Sequence, residues 1–214
     1  MTDNPLWSPS PDQVSAAEVS RFRQLVEHNQ GVTLNSSTDL QEWSVRHQGD
    51  FWATVWDQYA VGDKGAGPFH VAGDTMRSDR FFPNSRMNYA ENLLAGVTRT
   101  ADGDDSVAVT FVREDDVRRS LTWRELRSQA AALAAFLRES GVGPGDRVAA
   151  WLPNTPEAIV SMLATSMIGA VFTSTSPDFG VAGVLDRFGQ VEPKVLIATD
   201  GYVYAGKHQP RLER

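Results

Sequence analysis

Cysteine is absent from the 214 residues, which removes disulfides, thiolate metal centres and a cysteine nucleophile together. A disulfide-free chain of this size suits a reducing compartment, and the cytoplasm is the expected location. A long apolar run is also missing. The nearest, residues 158–175, is interrupted by Ser161, Thr165, Ser166 and Gly169, so it falls short of the roughly 18 apolar residues of a membrane span. No membrane partner is expected, and the opening "MTDNPLWSPSPDQVSAAEV" lacks the basic start and apolar run of a secretory signal. Positive charge is in deficit: 20 Lys and Arg stand against 27 Asp and Glu, a formal charge of -7. Phosphate-rich partners select the opposite balance, so no nucleic acid is expected.

Metal and nucleophile patterns are scarce as well. The four histidines, His28, His47, His70 and His208, form no HxH or HxxxH pair, so no metal ligand is assigned. "DGDD" at residues 102–105 lacks the alternate-position ligands and closing Glu of a calcium loop and reads as a solvated linker. No GxSxG elbow supports a Ser-His-Asp set. No catalytic residue is therefore assigned.

What is present reads as an α/β chain in two parts. With 41% hydrophobic and 22% charged residues the sequence has the balance of an ordinary globular protein, enough to bury a core. Residues 1–97 read as helix and loop. Val19, Phe22, Leu25 and Val26 share one face of a run from Ser15 to Asn29, with Gly31 as its stop. Asp39 to Tyr59 reads as a second helix carrying Trp43, Phe51, Trp52, Val55, Trp56 and Tyr59, and its Trp52, Trp56, Tyr59 stripe is read as packing. "FHVAGDTMRSDRFF" reads as extended loop, and "NSRMNYAENLLAG" as a short helix ending at Gly96.

The pattern changes across "GVTRTADGDD", residues 96–105, taken as the boundary before a second part, 98–214. "SVAVTFV" and Val117 to Leu121 make a hairpin, and Thr122 with Glu125 has the spacing of a capping box ahead of a helix that stops at Gly141. Then come a strand (Arg147 to Leu152), a helix, a strand (Ala170 to Thr175), a helix (Val181 to Val191) and a strand (Lys194 to Thr199). That alternation predicts a parallel sheet with helices on its faces, reached through strand-helix-strand crossovers.

The crossover turn Leu152-Pro153-Asn154-Thr155-Pro156-Glu157 sits where phosphate-binding glycines would stand. Two prolines obstruct the close backbone approach that phosphate cradling needs, so it reads as a rigid corner with Thr155 as N-cap. "GVGPGDRV" precedes a strand and "GDKGAG" opens no apolar-periodic helix, so both read as turns. Ser174 and Ser176 lie where a strand leaves the parallel sheet, the edge where such sheets bind ligands, and are candidate substrate-side residues.

Four phrases carry a resemblance. "SLTWRELRSQAAALAAFLRESGVGPGDRVAAWLPNTPEAIVSMLATSMIGAVF" and "EPKVLIATDGYVYAGK" resemble the first part of the large domain of the adenylate-forming acyl-CoA synthetases, and "FFPNSRMNYAENLLAG" with "TSTSPDFGVAGVLDRF" resembles the acetoacetyl-CoA synthetase branch of that family. The resemblance implies a ligase that uses ATP and Mg to turn acetoacetate into an acyl-adenylate, from which coenzyme A displaces AMP. It also implies a coenzyme A contact at Lys207, in a region where relatives place basic residues. Tyr204 or Val203 stands where the other, an arginine, is expected. No "SGTTGxPK"-like phosphate loop occurs in the sequence, so the expectation is an N-terminal portion of such a synthetase, inactive alone, whose C-terminal remainder is its missing partner. The alternative is a non-catalytic coenzyme A-binding or protein-interaction module. An oxidoreductase is disfavoured by the missing glycine fingerprint.

Overall fold

The computed structural model describes residues 5–60, 62–95 and 103–210 and divides into two compact units, 1–86 and 87–214. The expected boundary segment lies mostly outside the described residues, at 96–102.

The first unit contains helices α1 (Pro11–Ala16), α2 (Glu18–Gln30), α3 (Ser37–Arg46) and α4 (Gln48–Tyr59), then the short antiparallel pair β1 (His70–Val71) and β2 (Arg80–Phe81). Two boundaries differ from the sequence reading. The first helical run is broken at Ala17, whose extended backbone ends α1, and Ser10 with Gln13 forms a capping box at the α1 start. The run from Asp39 to Tyr59 is two helices separated by His47 (φ -122°, ψ 52°). His47 stacks on Trp43, four residues earlier, at 5.5 Å, and its backbone leaves the helical region between the two helices. The core of this unit is Val26, Leu34, Leu40 and Trp43, edged by Phe22 and Phe51 in a T-shaped pair at 5.6 Å. The segment read as loop between Pro68 and Pro83 contains the β1–β2 ladder.

The second unit begins with α5 (Tyr89–Ala95), followed by the hairpin β3 (Val107–Val112) and β4 (Arg118–Thr122) and by α6 (Trp123–Glu139). The Thr122–Glu125 capping box forms as read from the sequence, satisfying opposite amides at the helix start. Next come β5 (Arg147–Trp151), α7 (Pro156–Met167), β6 (Val171–Thr175), α8 (Val181–Gly189) and β7 (Val195–Ala198). The strands pair in parallel in the order β6-β5-β7. Because the first crossover places β6 on one side of β5 and the second carries β7 to the other, the helices fall on opposite faces. Val148 packs with α6 and α7 through Leu137 and Ala164, while Ala149 and Trp151 meet Val184 and Phe188 of α8. The alternation along β5 is what a strand buried on both sides requires. A second cluster joins α5, α6 and α7 through Ala90, Leu94, Leu126, Ala130, Val160 and Leu163.

One hairpin escaped the sequence reading: β8 (Gly201–Tyr204) and β9 (Lys207–Pro210). Ala205 and Gly206, at φ 50° and 70°, form its two-residue turn, the left-handed pair that suits strand twist. Among the described residues no helix is long and apolar enough to cross a membrane.

Candidate functional site

The parallel sheet has two ends of different character. At the N-terminal end Asp146 accepts from the Gly143 amide at 2.8 Å and from Lys194 at 3.0 Å, and Lys194 also donates to the Gly141 carbonyl. The Gly143 amide, then Lys194, holds the Asp146 carboxyl below the usual carboxylate range. Arg147 donates to the carbonyls of Val191 (2.7 Å) and Glu192 (2.9 Å).

The C-terminal end opens into a cavity of about 470 Å³, lined by the β5–α7 turn, the β6–α8 turn and β8. Its walls include Asn154, Ser174, Thr175, Ser176, Asp178, Tyr202 and Tyr204. A second cavity of about 600 Å³ lies beside it, bounded by the β3–β4 hairpin, Asn154, Thr155 and β8. Pro153, Asn154 and Tyr202 belong to both. Both volumes fall within the size range of small-molecule sites, at the strand ends where open α/β sheets bind ligands.

The candidate residues separate into three situations. Ser174 and Ser176 are both in the first cavity. The Ser174 side chain makes no hydrogen bond among the described residues, whereas Ser176 donates its hydroxyl proton to Asp178 at 2.8 Å and receives the Trp151 indole N–H on its carbonyl at 3.1 Å. Ser176 therefore braces the turn, while the exposed Ser174 hydroxyl faces the cavity. Lys207 lies in neither lining; it is the register partner of Tyr204 across the β8–β9 ladder, so the two share a face of the hairpin next to the first cavity.

Three residues were missed by sequence reasoning. Asn154 was read only as part of a rigid corner, yet it lines both cavities and its side chain has no hydrogen-bond partner among the described residues. Its position between two prolines at the end of a buried strand was the available signal. Asp178 and Tyr202 come together only in the fold, where the Tyr202 hydroxyl donates to the Asp178 carboxylate.

The β5–α7 corner carries its own anion. Thr155 occupies the N-cap position without bonding the helix amides, a correction to its expected capping role. Glu157 instead makes a two-pronged ion pair with Arg119 at 2.9 and 3.1 Å. That pairing, aided by Thr155, draws the Glu157 pKa from the usual 4.5 to about 2. The β8–β9 turn is likewise tied: Glu114 accepts from the amides of Ala205 (3.1 Å) and Gly206 (2.8 Å). Gly201 on β8 sits close to its partner strand: a Cβ there would lie 2.8 Å from the His208 ring and 3.0 Å from the Gln209 carbonyl, so a larger residue requires the His208 side chain to move.

Comparison with known proteins covers both units. The chain is 44% identical over 207 residues to the acetoacetyl-coenzyme A synthetase of Rhizobium meliloti (strain 1021), which aligns with 97% of this chain and 31% of that protein. The acetoacetyl-CoA synthetase of Rattus norvegicus is 40% identical over 215 residues, covering 98% of this chain and 30% of its own length. The solved acetoacetyl-CoA synthetase from Streptomyces lividans superposes with a TM-score of 0.89 at 39% identity, over 98% of this chain and 32% of that one. The chain thus spans a little under a third of the length of these relatives and matches their N-terminal part. The AMP-binding enzyme profile matches residues 98–213, more than half of the chain, and on that match the chain belongs to the AMP-binding enzyme family.

Proposed function

We propose that this chain is the N-terminal part of an acetoacetate-CoA ligase. The observation that carries the reading is the extent of the match: 44% identity reaching across 97% of the chain, so that the helical first unit is included along with the sheet. The proposed reaction has two steps. A carboxylate oxygen of acetoacetate attacks the α-phosphorus of ATP, releasing pyrophosphate and leaving an acyl-adenylate. The coenzyme A thiol then attacks the acyl carbon, AMP departs as the leaving group, and the thiol proton passes to solvent. Adenylation is needed because a free carboxylate has no good leaving group.

Within that scheme this chain supplies scaffold and one wall of the coenzyme side. The cavity at the ends of β5 and β6 offers Ser174 and Asn154 as uncommitted hydrogen-bonding groups, and Lys207, opposite Tyr204, supplies a cation for a coenzyme A phosphate at the rim. Magnesium would accompany ATP; among the described residues no group of three or more His, Asp or Glu could hold it, so no step is assigned to it here. The chain also lacks the Thr/Ser/Gly-rich loop ending in lysine that the relatives' chemistry calls for. Phosphoryl and acyl transfer need the stabilising groups positioned together, so the 214 residues alone are expected to be inactive, with the remainder of the synthetase as partner and the cytoplasm as location.

Exchange of radiolabelled pyrophosphate into ATP, with acetoacetate present, tests this. The chain alone is expected to stay at background. Turnover above background would contradict the assignment of the chemical step to parts outside these residues.

A further inference from the structure

We propose that Asp178 is a positioning residue that holds Tyr202 as the partition between the two cavities, and so sets the register in which one long ligand occupies both. The proposal rests on the coenzyme A reading above.

The two cavities share three wall residues, Pro153, Asn154 and Tyr202. Pro153 is fixed by its ring and Asn154 is short, so the long Tyr202 side chain is the part of the partition whose position most changes the passage. A chain of contacts fixes that position. The Tyr202 hydroxyl donates to Oδ1 of Asp178, and Oδ2 of the same carboxylate accepts the Ser176 hydroxyl at 2.8 Å. The Ser176 carbonyl accepts the indole N–H of Trp151 at 3.1 Å. Trp151 ends the central strand β5 and packs against α8. The partition is therefore referenced to the central strand of the parallel sheet through two charge-assisted hydrogen bonds on one carboxylate.

The cavities measure about 470 and 600 Å³. Each lies within the size range of small-molecule sites, and the two adjoin along Pro153, Asn154 and Tyr202, so an elongated ligand can extend from one into the other. Binding across both gains from the link between the two ends only when the separation matches the ligand. Releasing Tyr202 leaves each cavity in place and disturbs only the passage between them. A ligand spanning both should feel the change, and its separate halves should not.

The experiment uses the 214-residue chain, its Asp178→Ala and Tyr202→Phe variants, and Asp178→Asn as the conservative control that keeps an acceptor for the tyrosine hydroxyl. Calorimetry measures coenzyme A, pantetheine and adenosine 3′,5′-bisphosphate in parallel, and hydrogen exchange is followed at residues 199–204 against 147–151. The expected result is a weakening of coenzyme A by about three- to tenfold in Asp178→Ala and Tyr202→Phe, the scale of one lost hydrogen bond. Each half should change less than about twofold, and Asp178→Asn should fall between the variants and the parent. Coenzyme A and its halves weakening alike, or coenzyme A unchanged, would overturn the proposal. Exchange separates it from the reading beneath. If the parent binds no coenzyme A, that reading fails; faster exchange at 199–204 with 147–151 unchanged still upholds Asp178 as the anchor of Tyr202, and unchanged exchange overturns it.

Discussion

The two ends of the parallel sheet are built from similar materials and used differently. At the N-terminal end Asp146 and Lys194 bond each other, Lys194 also bonds the carbonyl of Gly141, and Arg147 bonds the carbonyls of Val191 and Glu192. At the C-terminal end the side chains of Asn154, Ser174, Thr175 and Tyr204 face a cavity and make no hydrogen bonds among the described residues. The polar groups of one end are committed within the chain, whereas those of the other face an open cavity and remain accessible from outside it. The difference teaches where to look for stability and where to look for ligand contacts: the closed end holds the crossovers in register, and the open end presents them.

The largest expected effect comes from attacking the core that both ends share. Leu137 is fully buried between α6 and the sheet, in one cluster with Val142, Val148, Ala164 and Ile168. Leu137→Ala should cost about 2–5 kcal/mol, the lost transfer energy plus the cavity left behind, read as a shift in the urea unfolding midpoint. A cost below about 1 kcal/mol would mean that the sheet's helical cover is loosely packed. The comparison is sharpened by a change at the open end. Asn154→Ala and Ser174→Ala should each leave the midpoint within about 0.5 kcal/mol of the parent, yet weaken coenzyme A binding several-fold if these groups meet the ligand. A large stability loss from either would place them in the structural class and erase the contrast.

Much of this architecture was legible in the sequence, for reasons that are local. Thr122 and Glu125 announce a helix start by their spacing, and the alternation of short apolar runs with helical periods announces parallel strands joined by crossovers. The break at His47 was not legible, because nothing in "VRHQGD" excludes a continuous helix, and a single residue leaving the helical region (φ -122°, ψ 52°) carries no clear residue signal. The β8–β9 hairpin was hidden for a related reason. Its turn uses Ala205, a residue that left-handed backbone disfavours, in place of the usual Asn-Gly signal, and it is supported from 91 residues away by the Glu114 carboxylate. At the cavity, the rule that ligands gather at strand ends pointed to Ser174 and Ser176, and both line it. The same rule could not separate the free serine from the committed one, since that distinction is made by Asp178 and Trp151.

The smallest expected effect tests whether the charges at the open end carry stability at all. Arg119 lines the second cavity and pairs with Glu157 of the β5–α7 corner, and the Glu157 and Arg119 side chains remain 55% and 49% exposed. Pairing with Arg119 lowers the Glu157 pKa from 4.5 to about 2, so the folded state binds that proton less readily than the unfolded chain. The sign follows: the stabilisation is fully present above the unfolded pKa near 4.5, and it is lost as pH falls from there toward about 2. Solvent screening at this exposure limits the contribution to about 0.5–1 kcal/mol, well below what an unscreened reading of the shift would imply. Glu157→Gln should therefore lower Tm by about 1–3 °C at pH 7, and thermal scans of the two proteins should converge as pH approaches 2.5. A gap that stays constant down to that pH would show that the loss comes from packing at the corner and not from the charge, and the open end would then be no less structural than the closed one.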